Sequence, residues 1–248
     1  MSVLYILWLR QIKRFFRAKS RIFGAVGQPL LFLLALGYGL GAVYARAGEG
    51  NYLQFLVPGI MAQTVLFAAM FYGAMIMFDR QFGFLKETLV APVSRTIIML
   101  GGALGGATTA MFQGVLVFVI AFCLGFRPHD WLLLPLGLLI LAVFAVTVAC
   151  FSSGIGSFVE DMQGFQAINQ FLVFPLYFLS GALYPLNNVP NWLRIIAEFN
   201  PVSYVVDGLR YCLIGQSHFG IVKDLLVLML TLLITAIFGA LRFRHIQA

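Results

Sequence analysis

The sequence predicts an all-α polytopic membrane protein. Only 10% of the 248 residues are charged and 61% are hydrophobic, and the mean hydropathy is +0.96. A soluble domain carries roughly 25% charged residues. Six apolar segments long enough to cross a bilayer as helices recur along the chain, and none contains Asp, Glu, Lys or Arg. We therefore expect one transmembrane domain over residues 1–248.

The net charge of +7 is concentrated beside the apolar segments. In a soluble protein this charge would suggest nucleic-acid binding, but basic residues that flank membrane spans orient the chain and contact lipid headgroups. The pattern therefore indicates membrane lipids as partners and no nucleic acid.

The first 21 residues predict an amphipathic helix in the membrane interface. Its basic residues recur at helical spacing on one stripe: Arg10, Lys13, Arg14, Arg17 and Arg21. The opposing face is apolar: Tyr5, Trp8, Ile12, Phe15 and Phe16. Such a helix lies along the bilayer with its basic side chains on anionic headgroups. A basic patch that only sets the orientation of the chain is the alternative.

The six apolar segments are the expected spans. They cover residues 22–44, 55–78, 97–126, 131–158, 165–184 and 225–241. The last is short and needs flanking residues to cross. The fifth contains Pro175, which predicts a kink. Spans one to five therefore occupy 22–184, and 225–248 holds span six and the tail.

Small residues recur at four-residue spacing within the spans. In the third span Gly101 and Gly105 form one pair, and Gly102 and Gly106 form another. Pairs at this spacing allow close helix packing in membranes. They specify packing and not function.

The distribution of Lys and Arg predicts the orientation. Six spans place eleven Lys and Arg residues on the side of both termini and five on the other side. Cytoplasmic loops carry the excess of positive charge. We expect both termini in the cytoplasm.

Residues 78–95, FDRQFGFLKETLVAPVSR, form a charged island between spans two and three. Phe82, Leu85 and Leu89 share one helical face, Pro92 ends the helix, and Ser94 offers a cap for the third span. We expect a short cytoplasmic helix with one apolar face and a charged tip. A plain interfacial helix without a partner is the alternative.

Residues 185–224 are long for an external loop and still apolar. Asn200 followed by Pro201 is a strong helix start, and Val189-Pro190 favours a shorter helix over 190–198. We expect two short re-entrant helices that turn at Phe199–Asn200 within the outer leaflet. An ordinary outer loop is the alternative.

Several kinds of chemistry are absent from the sequence. It has no G-x-x-x-x-G-K-[ST] phosphate loop, its three histidines are far apart, and no nucleophile comes with a plausible base. The spans lack the buried carboxylates that ion-coupled transporters use. The polar residues in the spans include uncharged Gln and Asn side chains. These suit a pathway for an amphiphilic cargo, or they only form hydrogen bonds between helices. We expect no cofactor in this chain.

Two segments resemble a known family. The island DRQFGFLKETLVAPVSR is similar to the cytoplasmic loop of type-2 ABC transporter permeases. Residues 174–210, FPLYFLSGALYPLNNVPNWLRIIAEFNPVSYVVDGLR, resemble the family's segment between spans five and six. The resemblance covers nearly the whole chain and is nearest to the daunorubicin-resistance-type exporters.

The resemblance implies a division of labour between subunits. Two copies of the permease would work with two separate ATPase subunits, which bind ATP and Mg. The ATPase would dock on the island, with Leu85 in a groove of the partner, and the interface helix would flank that contact. The implied coupling residues are Arg80, Gly83, Leu85, Lys86, Glu87, Pro92 and Arg95.

The resemblance also implies an external gate, in which Asp207 and Arg210 would pair. The implied gate residues are Pro185, Pro190, Trp192, Asn200, Pro201, Asp207 and Arg210.

These expectations combine into one hypothesis. The chain is the permease half of an ATP-driven exporter of a drug, lipid or lipid-linked glycan in a bacterial or archaeal plasma membrane. A non-transporting membrane anchor or assembly protein is the main alternative. A secondary transporter is disfavoured by the uncharged spans, and uptake is disfavoured by the resemblance alone.

Overall fold

A computed structural model describes residues 3–46, 51–85, 93–159 and 161–246. All regular structure in these ranges is helical, as predicted, and they contain no strand. Helix α1, Val3–Arg17, covers most of the predicted interface helix but ends four residues before its predicted end at residue 21.

Among the described residues, four helices are long and apolar enough to cross a membrane. They are α4 (Tyr52–Gln81), α5 (Arg95–Cys123), α6 (Leu134–Phe158) and α11 (Ile221–Arg244). They coincide with the second, third, fourth and sixth predicted spans, whose crossing of the membrane stays a prediction. The sixth extends at both ends to 24 residues, which removes the apparent shortness of the apolar segment.

The first predicted span is interrupted. Helix α2, Lys19–Phe32, runs into a π-helical stretch, Leu33–Tyr38, and is followed by α3, Gly41–Arg46. A π-helical stretch widens the turn and breaks the regular spacing of side chains. The segment is therefore a chain of short helical pieces, and its crossing of the membrane remains a prediction.

The fifth predicted span is interrupted in the same way. Helix α7, Met162–Ile168, passes through a π-helical stretch, Asn169–Val173, into α8, Phe174–Phe178. The widened turn ends just before Pro175, which has no backbone N–H to donate and clashes with a regular preceding turn. The helix is therefore irregular at the predicted position, and the kink itself stays a prediction.

Local hydrogen bonds explain where several helices begin. The Asn51 side chain accepts from Leu53 N at 3.0 Å and starts α4, and Ser94 Oγ accepts from Ile97 N at 3.4 Å and starts α5. Each supplies an acceptor for an amide that has no partner inside the helix. The predicted cap at Ser94 is confirmed.

Helix α4 is the centre of the bundle. It packs against α5 and α6, and α11 packs on the far side of α6. Ser152 Oγ on α6 donates to Met70 O at 2.5 Å and accepts from Gly73 N at 2.7 Å. The hydroxyl thereby joins the two backbones deep in the core.

The glycine pairs of α5 serve two different neighbours. A Cβ at Gly105 would lie 2.6 Å from Gln11 Cβ of α1, and a Cβ at Gly102 would lie 2.0 Å from Tyr72 Oη of α4. Both distances are shorter than real Cβ contacts. The pair Gly101 and Gly105 therefore allows close packing of α1, and the pair Gly102 and Gly106 allows close packing of α4.

The bundle has two distinct ends. At the end that holds α1 lie the last turn of α4, the start of α5 and the carboxyl end of α11. At the opposite end lie Tyr52, Leu183, His129 and Leu213, joined by Tyr52 Oη to Leu183 O and by His129 N to Leu213 O. The opposite end also holds a 3₁₀ turn and two short helices: Leu186–Asn188, α9 (Asn191–Phe199) and α10 (Pro201–Ile214).

Candidate functional site

Asp79 fastens the interface helix to the bundle. It lies in the last turn of α4 and is 8% exposed. Arg14 Nη1 donates to its Oδ1 at 2.8 Å, and Arg10 Nη2 donates to its Oδ2 at 3.2 Å. We expected these arginines on lipid headgroups, but in the structure both bind this carboxylate.

The apolar face of α1 packs on α5. Phe15 is 4% exposed, and Phe15 and Phe16 both stand edge-on to Phe112. Trp8 Nε1 donates to Thr108 Oγ1 at 3.0 Å. Helix α1 therefore uses protein contacts on two sides, and only its outer face is left for the membrane.

Lys13 and Arg17 lie on the outer face of α1 and are exposed. Together with Ile6, Leu9 and Phe84 they line a groove of about 580 Å³ between α1 and the end of α4. The predicted contact with anionic headgroups is open to these two residues and not to the whole basic stripe.

The described part of the island faces two ways. Gly83, with φ +79°, turns the chain away from α4, a conformation that residues with a Cβ rarely adopt. On either side of it Phe82 and Phe84 are 70% and 50% exposed, while Leu85 is 6% exposed. The predicted place of Leu85 in a groove of a partner is therefore corrected, because its side chain is buried in this chain's own core.

The other predicted coupling residues have separate settings. Arg80 is partly buried in the last turn of α4. Arg95 Nη1 donates to Arg244 O at 2.7 Å and to Ile246 O at 3.2 Å, and so binds the carboxyl end of α11. Lys86, Glu87 and Pro92, as well as Leu89, lie outside the described residues.

Helix α9 at the opposite end is weakly embedded. Trp192, Ile195, Ile196 and Phe199 are exposed on one stripe, and Phe199 is 86% exposed. Pro190 precedes the helix, and Pro185 precedes the 3₁₀ turn. The predicted short helix after Pro190 is confirmed in position, within one residue at each end.

Asn200 makes the turn between the two short helices. Its Oδ1 accepts from Val202 N at 3.0 Å, and its Nδ2 donates to Leu176 O. Pro201 occupies the first position of α10, where its missing N–H costs nothing. The predicted helix start is confirmed, and the same side chain also ties the turn to α8.

Asp207 and Arg210 do not pair, contrary to prediction. Asp207 accepts from Ser217 Oγ at 2.9 Å and from the backbone amides of His218 and Phe219 at 2.8 Å. Arg210 Nη2 donates to Gly181 O at 2.8 Å and to Ala182 O at 3.1 Å. The two charges instead hold two different turns against α10.

Arg210 is also held in position by the aromatic ring of Phe55. Its guanidinium carbon lies 3.8 Å from the centroid of the Phe55 ring, and the residue is 7% exposed. Burial lowers the pKa of Arg210 to about 10, so the side chain keeps its charge at neutral pH. Arg210 therefore brings a desolvated positive charge to a cavity at this end of the bundle.

Comparison with known proteins now identifies the chain. The family model described as "ABC-2 type transporter" matches residues 2–214. This match spans both the α1 end with Asp79 and the segment with Asn200 and Arg210. The chain belongs to the ABC-2 type transporter family.

Two of three similar proteins are named as transport permeases, one of them as putative. This ABC-2 permease is 28% identical over 230 residues to the inner membrane transport permease YadH of Escherichia coli, covering 90% of this chain and 87% of YadH. It is 33% identical over 207 residues to the putative transport permease ycf38 of Pyropia yezoensis, covering 82% and 70% of the two chains. Nodulation protein J of Rhizobium leguminosarum bv. trifolii is 28% identical over 216 residues, covering 86% and 79%.

Proposed function

We propose that this ABC-2 permease is the membrane half of an ATP-driven exporter of amphiphilic molecules in a bacterial or archaeal plasma membrane, with both termini in the cytoplasm. The observation that carries the proposal is the α1 end of the bundle. There the paired Arg10, Arg14 and Asp79 join the interface helix to α4, and exposed aromatic side chains follow at once in the island.

This arrangement suits a surface that receives force. Phe82 and Phe84 expose large apolar area next to the end of a rigid, buried helix. Exposed aromatic residues of this kind are typical anchors in protein interfaces. A separate ATPase subunit, holding ATP and Mg, docks on them, and closure of two ATPases moves α4 and α1 together.

A second copy of the permease completes the path. Gln28 in the first predicted span and Gln166 and Gln170 in the fifth are exposed on the single chain. Amides at membrane depth avoid lipid and face a partner helix or a water-filled space. The second copy packs over these interrupted segments, and the cargo passes between the two chains.

The opposite end closes the path on the outer side. Helix α9 lays its stripe of Trp192, Ile195, Ile196 and Phe199 in the outer leaflet, as an amphipathic interfacial helix does. Its weak attachment to the bundle allows it to move when the two copies separate.

Co-purification tests the proposal. The chain is extracted in mild detergent from its own host, and both the bound proteins and the ATPase activity are measured. We expect an ATPase subunit to accompany the wild-type chain and to be reduced about tenfold or more by Phe82→Ala. Leu132→Ala is the matched control, because Leu132 is 87% exposed at the other end of the bundle.

Two outcomes would contradict the proposal. A wild-type chain that purifies without any ATPase subunit would favour a membrane anchor or assembly protein. Equal loss of the ATPase in Phe82→Ala and Leu132→Ala would remove the docking surface from the α1 end.

A further inference from the structure

A polar cavity of about 380 Å³ opens at the end of the bundle opposite α1. Its walls come from the start of α4, the turn before the 3₁₀ segment, α10 and the turn that follows α10. Its lining includes Phe55, Ser180, Ser203, Asp207, Arg210 and Ser217. The transport family match does not explain why charged and hydroxyl groups converge in this place.

Arg210 brings to this cavity a positive charge with no directly bound anion among the described residues, and the carboxylate of Asp207 acts on it only from a distance. None of the ion pairs within 4.0 Å in the described ranges involves Arg210. Two of its bonds go to neutral carbonyls, and its Nε is buried without a hydrogen-bond partner. A buried guanidinium that lacks both an anion and part of its hydrogen bonds is costly, and an incoming anion removes that cost.

Ser203 adds a second unfilled hydrogen-bonding position. It lies on α10 seven residues before Arg210, on the same side of the helix, and lines the same cavity. It is 1% exposed, and its Oγ has no partner. Buried hydroxyl groups are nearly always hydrogen-bonded, so an acceptor is missing from this position.

Asp207 does not fill this role although it lines the cavity. Its carboxylate is held by Ser217 Oγ and the two amides of the turn after α10. These bonds fix it on that turn, while Arg210 is fixed by Phe55 and the carbonyls of Gly181 and Ala182. The Asp207 carboxylate and the Arg210 guanidinium are thus bound to different partners, which leaves the guanidinium open to a ligand.

We propose that Arg210 and Ser203 form a binding site for the anionic group, a phosphate or a carboxylate, of an amphiphilic molecule. Arg210 supplies the charge and a planar set of donors, and Ser203 donates its hydroxyl proton to a second oxygen of the anion. The apolar side chains of Tyr44, Leu186 and Ile214 in the lining contact the attached chain.

This site deepens the proposed function. The choice of an amphiphile as ligand rests on the proposed transport function. The polar contacts of Arg210 and Ser203 by themselves fit any small oxyanion. On that basis the site lies on the outer side and holds an anionic cargo at the exit.

The experiment measures binding without any ATPase subunit. The purified chain in nanodiscs of phosphatidylcholine is titrated by calorimetry with hexyl phosphate, inorganic phosphate and hexyltrimethylammonium. We expect hexyl phosphate to bind, inorganic phosphate to bind more weakly, and the cation not to bind. Arg210→Gln should weaken hexyl phosphate about tenfold or more, because a charge-assisted pair is lost.

Two further variants keep the test decisive if Arg210→Gln does not fold. Ser203→Ala removes only the hydroxyl and should weaken binding by about threefold to tenfold. Ser203→Asp places a carboxylate beside Arg210 and should abolish binding. Glu198→Gln, at an exposed ion pair outside the cavity, is the control that should bind as the wild type does.

The outcomes separate this site from the proposed function. Hexyl phosphate binding that is equal in the wild type and both Ser203 variants would overturn the site. If inorganic phosphate binds as tightly as hexyl phosphate, the ligand is not an amphiphile and the site binds a free anion. Loss of ATPase co-purification, by contrast, would overturn the exporter and leave this binding unchanged.

Discussion

Arg14 Nη1 and Asp79 Oδ1 lie 2.8 Å apart although 65 residues separate them in the sequence. With the second bond from Arg10, this carboxylate joins the first helix of the chain to the end of the most buried one.

Asp79→Asn should loosen α1. The change removes the charge that balances Arg10 and Arg14, and these side chains are 39% and 37% exposed, so water compensates in part. We expect a loss of about 1–2 kcal/mol, seen as a lower Tm in detergent, and faster tryptic cleavage within α1.

Glu198→Gln is the matched control for Asp79→Asn. It breaks a 3.6 Å pair whose side chains are 53% and 44% exposed, and should cost less than about 0.5 kcal/mol. Equal effects of the two variants would mean that Asp79 does not fasten α1.

Gly105→Ala should displace α1 from α5. The new Cβ would lie 2.6 Å from Gln11 Cβ and 3.1 Å from the Trp8 carbonyl oxygen, so the helix must move away. Overpacking of this kind costs about 1–3 kcal/mol, measured as a lower Tm.

Gly39→Ala separates packing from helix propensity. Gly39 has nothing within 4 Å of an added Cβ and a helical φ of −66°, so alanine should leave stability unchanged or raise it. If Gly105→Ala behaves like Gly39→Ala, α1 is not seated on the glycine pair.

Asn200→Ala should free the turn between α9 and α10. It removes both the cap on Val202 N and the bond to Leu176 O, with an expected cost of about 1–3 kcal/mol in thermal unfolding. Asn200→Ser keeps an acceptor at the cap and loses the donor to Leu176 O, so its effect should fall between those of the wild type and the alanine variant. A larger loss with serine than with alanine would contradict the assignment of the cap.

Labelling with a membrane-impermeant maleimide tests the orientation. In a chain whose Cys123, Cys150 and Cys212 are replaced by alanine, a cysteine at Asn191 should react in intact cells. A cysteine at Lys13 should react only after the membrane is permeabilised. Both positions are exposed, so reaction of Lys13→Cys in intact cells would reverse the predicted topology.

The sequence predicted what depends on nearby residues. Asn200 and Ser94 start helices because their side chains bond amides two or three positions ahead, and the irregular π-helical stretch lies just before Pro175, which lacks an N–H. The positions of the four long apolar helices follow from hydropathy alone.

Contacts between distant residues were beyond the same reasoning. In the sequence Asp79 is one charged residue of the island, and its partners on α1 are 65 and 69 residues away. Helical spacing alone could not show that the Leu85 side chain is buried while that of Phe82 is exposed. Asp207 and Arg210 lie three residues apart on one helix, a spacing that suggests a pair, yet tertiary partners bind both. Ser203 gave no signal at all, because a single serine in a helix acquires meaning only when its hydroxyl is buried without a partner.

The seat of α1 also sets an order of events during synthesis. This helix leaves the ribosome before α5, yet Trp8 bonds to Thr108, 100 residues later. At roughly 5–20 residues per second, α1 waits about 5–20 s before its glycine groove exists. During that interval the amphipathic surface of α1 is free to lie on the lipid, so α1 reaches its final position only after α5 has been made.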